Sequence, residues 1–226
     1  MAYPSALLWG PIAARSQEAK VGDMSGENGR SERLAATARQ LYDSGWMRGT
    51  SGNVSVIAQE DPRQLLVSAS GIAKHATSPE HAVLTDAHGV ALAGQAHHPS
   101  AEAKVHAKII DIAQAHAVVH VHTLPSVLAA ARWPGGVEIA DNELLKGLGC
   151  AAEGERYQVP VVANSQDMDD LSNRIARALN PKVPIVLVSD HGMYVWGASL
   201  EDAANRTECA DWLLQHALLR EIVLDR

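Results

Sequence analysis

The chain has 226 residues, 46% of them hydrophobic and 4% aromatic, with no phenylalanine and a formal net charge of -7. This length suits one domain with a sizeable aliphatic core, while the acidic balance and the lack of a basic cluster argue against nucleic acid as a main partner. No apolar run reaches membrane-spanning length, so no membrane partner is expected, and two cysteines make no disulfide framework, which predicts a cytoplasmic protein.

The start of the chain differs in composition from the rest. Residues 1–30 end in a polar, glycine-rich stretch, and we expect them to form a mobile tail. Residues 31–226 are expected to form a single domain. Its first helix is predicted to begin at Ser31, a favourable N-cap, and to end at Gly45, whose conformational freedom is typical of a helix end.

Two turns rich in glycine and hydroxyl side chains adjoin the next predicted strands. The first contains Gly52 and Asn53 and leads into a strand, and the second contains Ser70 and Gly71 and follows the strand over residues 64–68. Backbone N–H groups in such turns, helped by side-chain donors, bind anions, so the two turns are candidates for the two sides of a phosphate cradle. Taken singly, each turn is just as typical of a tight connection between elements.

A helix is predicted over residues 101–115, capped by Ser100. Glu102 lies in its expected first turn. There a carboxylate either complements the helix dipole or, because the helix leads directly into the following strand, lies beside a metal bound by that strand.

The most informative stretch is the β-branched run 118–123, which contains His120 and His122. Alternate residues of a strand face the same way, so both imidazoles project from one face, and two imidazoles at this spacing can chelate one metal ion. His191 follows a later apolar strand and is the third candidate ligand. The metal interpretation is favoured over the alternative, in which the pair are half-buried histidines bonded to backbone.

The remaining pattern is that of an α/β protein. Glu143 opens a short helix and is either a solvated first-turn acid or a second active-site carboxylate. Pro160 interrupts the strand over residues 159–162, which places that strand at an edge or an end of the sheet. Further helices are predicted over residues 124–131, 167–179 and 199–224, and a buried strand over residues 185–188.

Five motifs, in this order along the chain, resemble the class II aldolase/adducin family. They are residues 49–55 (GTSGNVS), 70–71 (SG), 99–102 (PSAE), 120–122 (HVH) and 191–197 (HGMYVWG). The resemblance extends from Ser31 to the end of the chain and implies an αβα sandwich around a mainly antiparallel sheet, assembled as a homotetramer.

The same resemblance implies a set of site residues. It implies zinc as the cofactor, with His120, His122 and His191 as its ligands. It implies that a small phosphorylated sugar is the substrate and that its phosphate binds near Gly52, Asn53, Ser70, Gly71 and Ser100. Sugar-phosphate aldolases of the family usually have two serines before the glutamate, whereas this chain has Ala101 at the second position, which weakens one expected phosphate contact.

Two further stretches, residues 143–147 and 159–167, resemble the dehydratases of the family, which remove water from 5-methylthioribulose 1-phosphate in methionine salvage. That reaction needs a Lewis acid at the substrate oxygens and a carboxylate that moves a proton. Glu143 is the first choice for the carboxylate, and Glu102 is the residue that an aldolase would use. The alternatives are a sugar-phosphate aldolase or epimerase of the fuculose or ribulose type, a non-catalytic adducin-like interaction module, and a purely structural zinc site.

Overall fold

A computed structural model describes residues 26–224 of the chain. The helices are α1 (Glu27–Asp43), α2 (Ala103–Ala113), α3 (Leu124–Arg132), α4 (Met168–Ala178) and α5 (Leu200–Leu224). The strands are β1 (Asn53–Glu60), β2 (Arg63–Ser68), β3 (Ala82–Asp86), β4 (Ala117–Val121), β5 (Val137–Ala140), β6 (Arg156–Val159), β7 (Val161–Val162), β8 (Ile185–Val188) and β9 (Gly192–Gly197). Short 3₁₀ helices cover Lys74–Ala76, Pro79–His81 and Glu143–Leu148.

Seven strands form the central sheet, in the order β3-β2-β1-β4-β9-β8-β7. Every neighbouring pair is antiparallel except β7 and β8, which are parallel. Strands β5 and β6 form a separate antiparallel pair. As predicted, the strand interrupted by Pro160 divides there, and its second half, β7, lies at the edge of the sheet.

Helices cover both faces of the sheet, which confirms the αβα sandwich. Strand β4 shows the alternation that produces the two layers, because side chains of successive strand residues point to opposite faces. Val119 and Val121 pack with apolar residues of α1, α3 and α5, whereas Val118 packs with those of α2 and α4. Replacing one buried leucine of such a layer by alanine typically costs about 2–5 kcal/mol, so the two layers contribute strongly to the stability of the sheet.

Two helices begin elsewhere than the sequence indicated. Helix α1 begins at Glu27, four residues before Ser31, and most of the predicted tail, residues 1–25, lies outside the described residues. Helix α2 begins at Ala103, with Glu102 as its N-cap. The reason is that the backbone N–H of Ser100 is bonded to the carbonyl of Ser68, so the chain is still paired to the sheet there and cannot yet turn into a helix.

Candidate functional site

Three predicted ligands, His120, His122 and His191, meet at one end of strands β4 and β9. His120 is in β4, His122 lies just beyond its end, and His191 immediately precedes β9. The Nε2 atom of His120 lies 2.8 Å from that of His122 and 3.3 Å from that of His191. Each of the three histidines offers one ligand atom, and these atoms all lie within 4.8 Å of one another. Among the histidine, cysteine and acidic residues of the chain between 26 and 224, this is the group of three placed to hold one metal ion.

Close pairing of β4 and β9 brings His191 to the other two histidines. Val121 pairs with Met193, and a Cβ atom at Gly192 would overlap the carbonyl oxygen of Val121. Only glycine therefore lets the start of β9 approach this closely. The turn before it contains Asp190 in the left-handed conformation, at φ 52°, which directs His191 back toward β4.

Hydrogen bonding and burial leave the histidines ready to bind a cation. Nδ1 of His120 lies 3.0 Å from the carbonyl oxygen of Met193, to which it donates, so its Nε2 carries a free lone pair. Burial lowers the pKa of His120, and burial together with the neighbouring His120 and His191 lowers the pKa of His122 to about 3. Both rings are therefore neutral at physiological pH, which is the form that binds metal.

Glu102 adds a carboxylate to the cluster. Its Oε2 lies 3.3 Å from Nε2 of His120, and its Oε1 lies 3.3 Å from Nε2 of His191. Asn53 Nδ2 donates to Oε2 at 2.6 Å and the Tyr194 hydroxyl donates to Oε1 at 2.9 Å. Burial by itself raises the pKa of Glu102, but the hydrogen bonds donated by Asn53 and Tyr194 act in the opposite direction, and the pKa is lowered overall. The carboxylate is therefore ionised.

This donor set fits a divalent metal. Tetrahedral zinc with Zn–N bonds of about 2.0–2.1 Å holds its ligand atoms about 3.3 Å apart. The spacings from Nε2 of His120 to His191 and to Glu102 are 3.3 Å, and the spacing to His122 is 2.8 Å. Three imidazoles with an adjacent carboxylate resemble a catalytic site that keeps a position for substrate more than a closed structural site.

The first Gly/Ser turn is attached directly to this cluster. Gly52 has φ +76°, and a Cβ there would lie 2.9 Å from the carbonyl oxygen of His120, so the turn requires glycine. Asn53 pairs with His120 across β1 and β4, and its amide binds Glu102. The side chain of Asn53, predicted to bind phosphate, thus lies between the turn and the carboxylate.

The second turn and the Ser100 segment adjoin each other. The backbone N–H of Ser70 donates to the carbonyl of His98 at 2.9 Å, and that of Ser100 donates to the carbonyl of Ser68 at 3.1 Å. Ser70 and Gly71 are exposed, and a Cβ at Gly71 would meet nothing within 4 Å. The predicted phosphate residues of this part therefore line an open surface to which a ligand has access.

Glu143 lies apart from the cluster. It is the first residue of the 3₁₀ helix Glu143–Leu148, and Asn142 caps that helix by accepting from the N–H of Leu144. Its side chain is 76% exposed and pairs with Lys146 at 2.6 Å. Among the contacts of the described residues, Glu143 makes none with the three histidines.

Known proteins resemble this chain in both sequence and fold. A family model described as the class II aldolase and adducin N-terminal domain matches residues 32–218. The chain belongs to this family. The resemblance found in the five sequence motifs is thereby confirmed, and so is the fold that it implied.

Relatives within the class II aldolase family carry more specific names. The methylthioribulose-1-phosphate dehydratase of Persephonella marina (strain DSM 14350 / EX-H1) is 31% identical over 78% of this chain and 83% of that protein. A protein of the same name from Sulfurihydrogenibium sp. (strain YO3AOP1) is 32% identical over 82% of this chain and 86% of its own. The structure of L-fuculose-1-phosphate aldolase from Thermus thermophilus shares the fold, with a TM-score of 0.66 and 24% identity over 86% of this chain and 98% of that one.

Sequence reasoning missed two buried polar residues next to the histidine cluster. Tyr194 stacks on the ring of His120, with centroids 4.0 Å apart, and donates to Glu102. His106 packs edge-on against Tyr194, and its Nδ1 lies 2.7 Å from the Ser55 hydroxyl. A usable signal for His106 was its spacing of four residues from Glu102, which puts both on one face of a helix.

Within residues 26–224, no helix is both long and apolar enough to span a lipid bilayer. Cys150 and Cys209 are both free thiols, as expected from the cysteine count.

Proposed function

We propose that this class II aldolase family member is a zinc-dependent hydro-lyase of methionine salvage. It converts 5-methylthioribulose 1-phosphate to 2,3-diketo-5-methylthiopentyl 1-phosphate. The observation that carries the proposal is the convergence of three imidazole Nε2 atoms and the Glu102 carboxylate beside a glycine turn. The names of relatives that are about one-third identical over most of the chain supply the choice of substrate.

In this proposal His120, His122 and His191 hold the zinc ion. Bound there, zinc supplies Lewis-acid polarisation of the substrate's C2 carbonyl, which acidifies the proton on C3. His120 is already oriented, because it donates its other ring N–H to the carbonyl of Met193.

The reaction itself is a balanced loss of water. A carboxylate removes the C3 proton, the C4 hydroxyl leaves with a proton as water, and the resulting enol tautomerises to the 2,3-diketone. Glu102 is ionised, buried and held by two donors, which suits a group that positions substrate or accepts a proton. We assign the acid/base step specific to dehydration to Glu143, whose exposed pair with Lys146 is weak enough to be exchanged for substrate.

Substrate phosphate is assigned to the two Gly/Ser turns. Gly52 and Gly71 have positive φ angles and present their backbone closely to a ligand, and Ser70 and Ser100 add hydroxyl donors. Asn53 connects this subsite to the reacting carbons, since its amide holds Glu102.

A second candidate is an aldolase that cleaves a sugar phosphate. The contact of Glu102 with two of the three histidines favours it, because that carboxylate rather than Glu143 lies at the cluster. Both reactions pass through removal of a proton next to a carbonyl, so the cluster geometry is compatible with either.

A comparison of substrates separates the two candidates. Purified zinc-loaded protein is assayed under the same conditions with 5-methylthioribulose 1-phosphate, fuculose 1-phosphate and ribulose 5-phosphate. The proposal expects kcat/KM to be highest for the methylthio-pentulose. A preference for fuculose 1-phosphate, with release of a cleaved fragment, would contradict the dehydratase proposal and support the aldolase.

A further inference from the structure

Lys74 is a buried cation directly behind the two Gly/Ser turns. It follows Gly71 by three residues, and it opens the 3₁₀ helix Lys74–Ala76. Only 2% of its surface is exposed, which is unusual for lysine. Local sequence patterns suggested no role for it beyond proximity to the second turn.

Its hydrogen bonds join the two turns. The ammonium donates to the carbonyl of Thr50, in the first turn, at 3.0 Å and to the carbonyl of Ile72, next to the second turn, at 3.2 Å. Its backbone N–H donates to the carbonyl of Gly49 at 3.0 Å. One side chain therefore fixes the spacing between segments that are about twenty residues apart in sequence.

Within residues 26–224, the charge of Lys74 has no counter-ion. An ammonium has three N–H donors, of which two are bonded to the carbonyls of Thr50 and Ile72. No carboxylate in residues 26–224 forms an ion pair with it. Burial lowers the pKa of Lys74, as expected for a cation removed from water without an anion beside it. Such a charge is costly unless a ligand completes its environment.

We propose that Lys74 is the cation of the phosphate subsite: it holds the two turns at the spacing that a phosphate monoester needs and supplies the positive charge that compensates the dianion. This inference deepens the proposed function and rests on it for the position of the phosphate. A lysine that only braced the loops would have no need of an uncompensated charge, since two carbonyls are bridged equally well by a neutral donor.

The direct test measures binding of inorganic phosphate, without any turnover. Zinc-loaded wild-type protein, Lys74→Met and Lys104→Met are titrated with phosphate by calorimetry. Methionine keeps most of the apolar stem and removes the ammonium. Lys104 is the matched control, because it is exposed and paired with Asp169. A charged hydrogen bond typically contributes enough for about a tenfold change in Kd or more, so Lys74→Met should bind phosphate at least about tenfold more weakly, and Lys104→Met as the wild type does.

Kinetics add a readout that a purely structural role would not give. With the phosphorylated substrate, Lys74→Met should raise KM by a similar factor and leave kcat and zinc content nearly unchanged. Phosphate affinity equal to that of the wild type in Lys74→Met overturns the inference, whichever reaction the protein catalyses. Normal phosphate binding by the wild type without dehydration would contradict the proposed function and leave the role of Lys74 intact.

A measurement on the wild-type protein covers the case in which Lys74→Met does not fold. Lysine side chains labelled with ¹⁵N are titrated by NMR with and without saturating phosphate. Bound phosphate should raise the pKa of Lys74 and leave the ¹⁵N chemical shift of the Lys104 ammonium, measured at fixed pH, unchanged. An unchanged pKa of Lys74 at saturating phosphate overturns the inference, as does failure of the wild type to bind phosphate.

Discussion

At the scale of single residues, the two candidate carboxylates differ sharply in environment. Glu102 is buried against the histidines and held by Asn53 and Tyr194, whereas Glu143 is exposed and paired with Lys146. Burial and fixed donors make Glu102 a well-oriented group of low pKa, and Glu143 is free to change partners. Their separate substitution therefore distinguishes the chemistry that each performs.

We predict that Glu143→Gln loses activity by about 10²–10⁴-fold, the usual contribution of a general acid or base, while it keeps its zinc and its fold. The amide preserves size and removes proton transfer. The matched control is Glu138→Gln. Glu138 is also exposed and paired with a basic residue, Arg156, and the variant should remain active. Diketone formation is measured for both, together with Glu102→Gln. Near wild-type turnover in Glu143→Gln with an inactive Glu102→Gln would transfer the chemistry to Glu102.

At the scale of elements, the approach of β9 to β4 determines whether the histidines meet. We predict that Gly192→Ala is destabilised by about 1–3 kcal/mol, the usual cost of overpacking, and binds zinc more weakly, since its Cβ would overlap the carbonyl of Val121 next to His122. Gly135→Ala is the control, because nothing lies within 4 Å of its Cβ. Urea unfolding and zinc titration measure the two effects, and unchanged values for Gly192→Ala would refute the requirement for glycine.

Helix α2 carries a buried histidine, His106, that connects it to β1 through Ser55. Burial lowers the pKa of His106 from 6.5 to about 3. Because the folded pKa is depressed, the unfolded chain takes up the proton first as pH falls from 6.5 to 3. The stability that depends on the neutral ring is therefore fully present above pH 6.5 and is lost across that window, at about 1.4 kcal/mol per pH unit.

We accordingly predict that His106→Gln, which does not titrate, shows a weaker acid dependence of unfolding free energy than the wild type. Urea unfolding at several pH values between 5 and 6, at equal metal content, gives the two slopes. The slope of the variant should be smaller by about 1.4 kcal/mol per pH unit. Parallel slopes would mean that His106 is protonated in the folded protein.

Local sequence patterns were enough to predict most helices and strands and to select the three histidines as candidate ligands, because strand alternation and helix caps are local signals. Alternation in β4 correctly placed His120 and His122 on one side, away from Val119 and Val121. The environment of Lys74 was not predictable in this way, since its bond to Thr50 reaches a turn about twenty residues earlier. Glu102 was recognised as a candidate, but its donors Asn53 and Tyr194 come from two other strands, and only the sheet order brings them together.

At the scale of the whole molecule, part of the surface is apolar in the single chain. Trp212 and Leu219 of α5 are 45% and 51% exposed. Leu124 and Leu128 of α3 are exposed as well, and α3 packs on α5. An apolar surface of this kind is typical of a protein–protein contact, which supports the homotetramer that the family resemblance implied.

We predict that the wild type sediments as a tetramer and that Leu219→Asp shifts it to smaller species, because a charge placed in an apolar interface is left without a partner. Val90→Asp, at a residue 53% exposed beside the β3 turn, is the control and should remain tetrameric. Sedimentation velocity measures both. If the Leu219→Asp protein has the wild-type sedimentation coefficient, this surface is not part of the subunit interface.

In the proposed function, the three-histidine cluster supports dehydration of a phosphorylated ketose. The most direct test identifies the product of 5-methylthioribulose 1-phosphate after incubation with zinc-loaded protein, by mass spectrometry and ¹³C NMR. The expected product is lighter by one molecule of water, keeps its carbon chain and carries two adjacent carbonyls, and His122→Ala, depleted of zinc, forms none of it. A cleaved carbon chain, or full dehydration by zinc-free His122→Ala, would contradict the account.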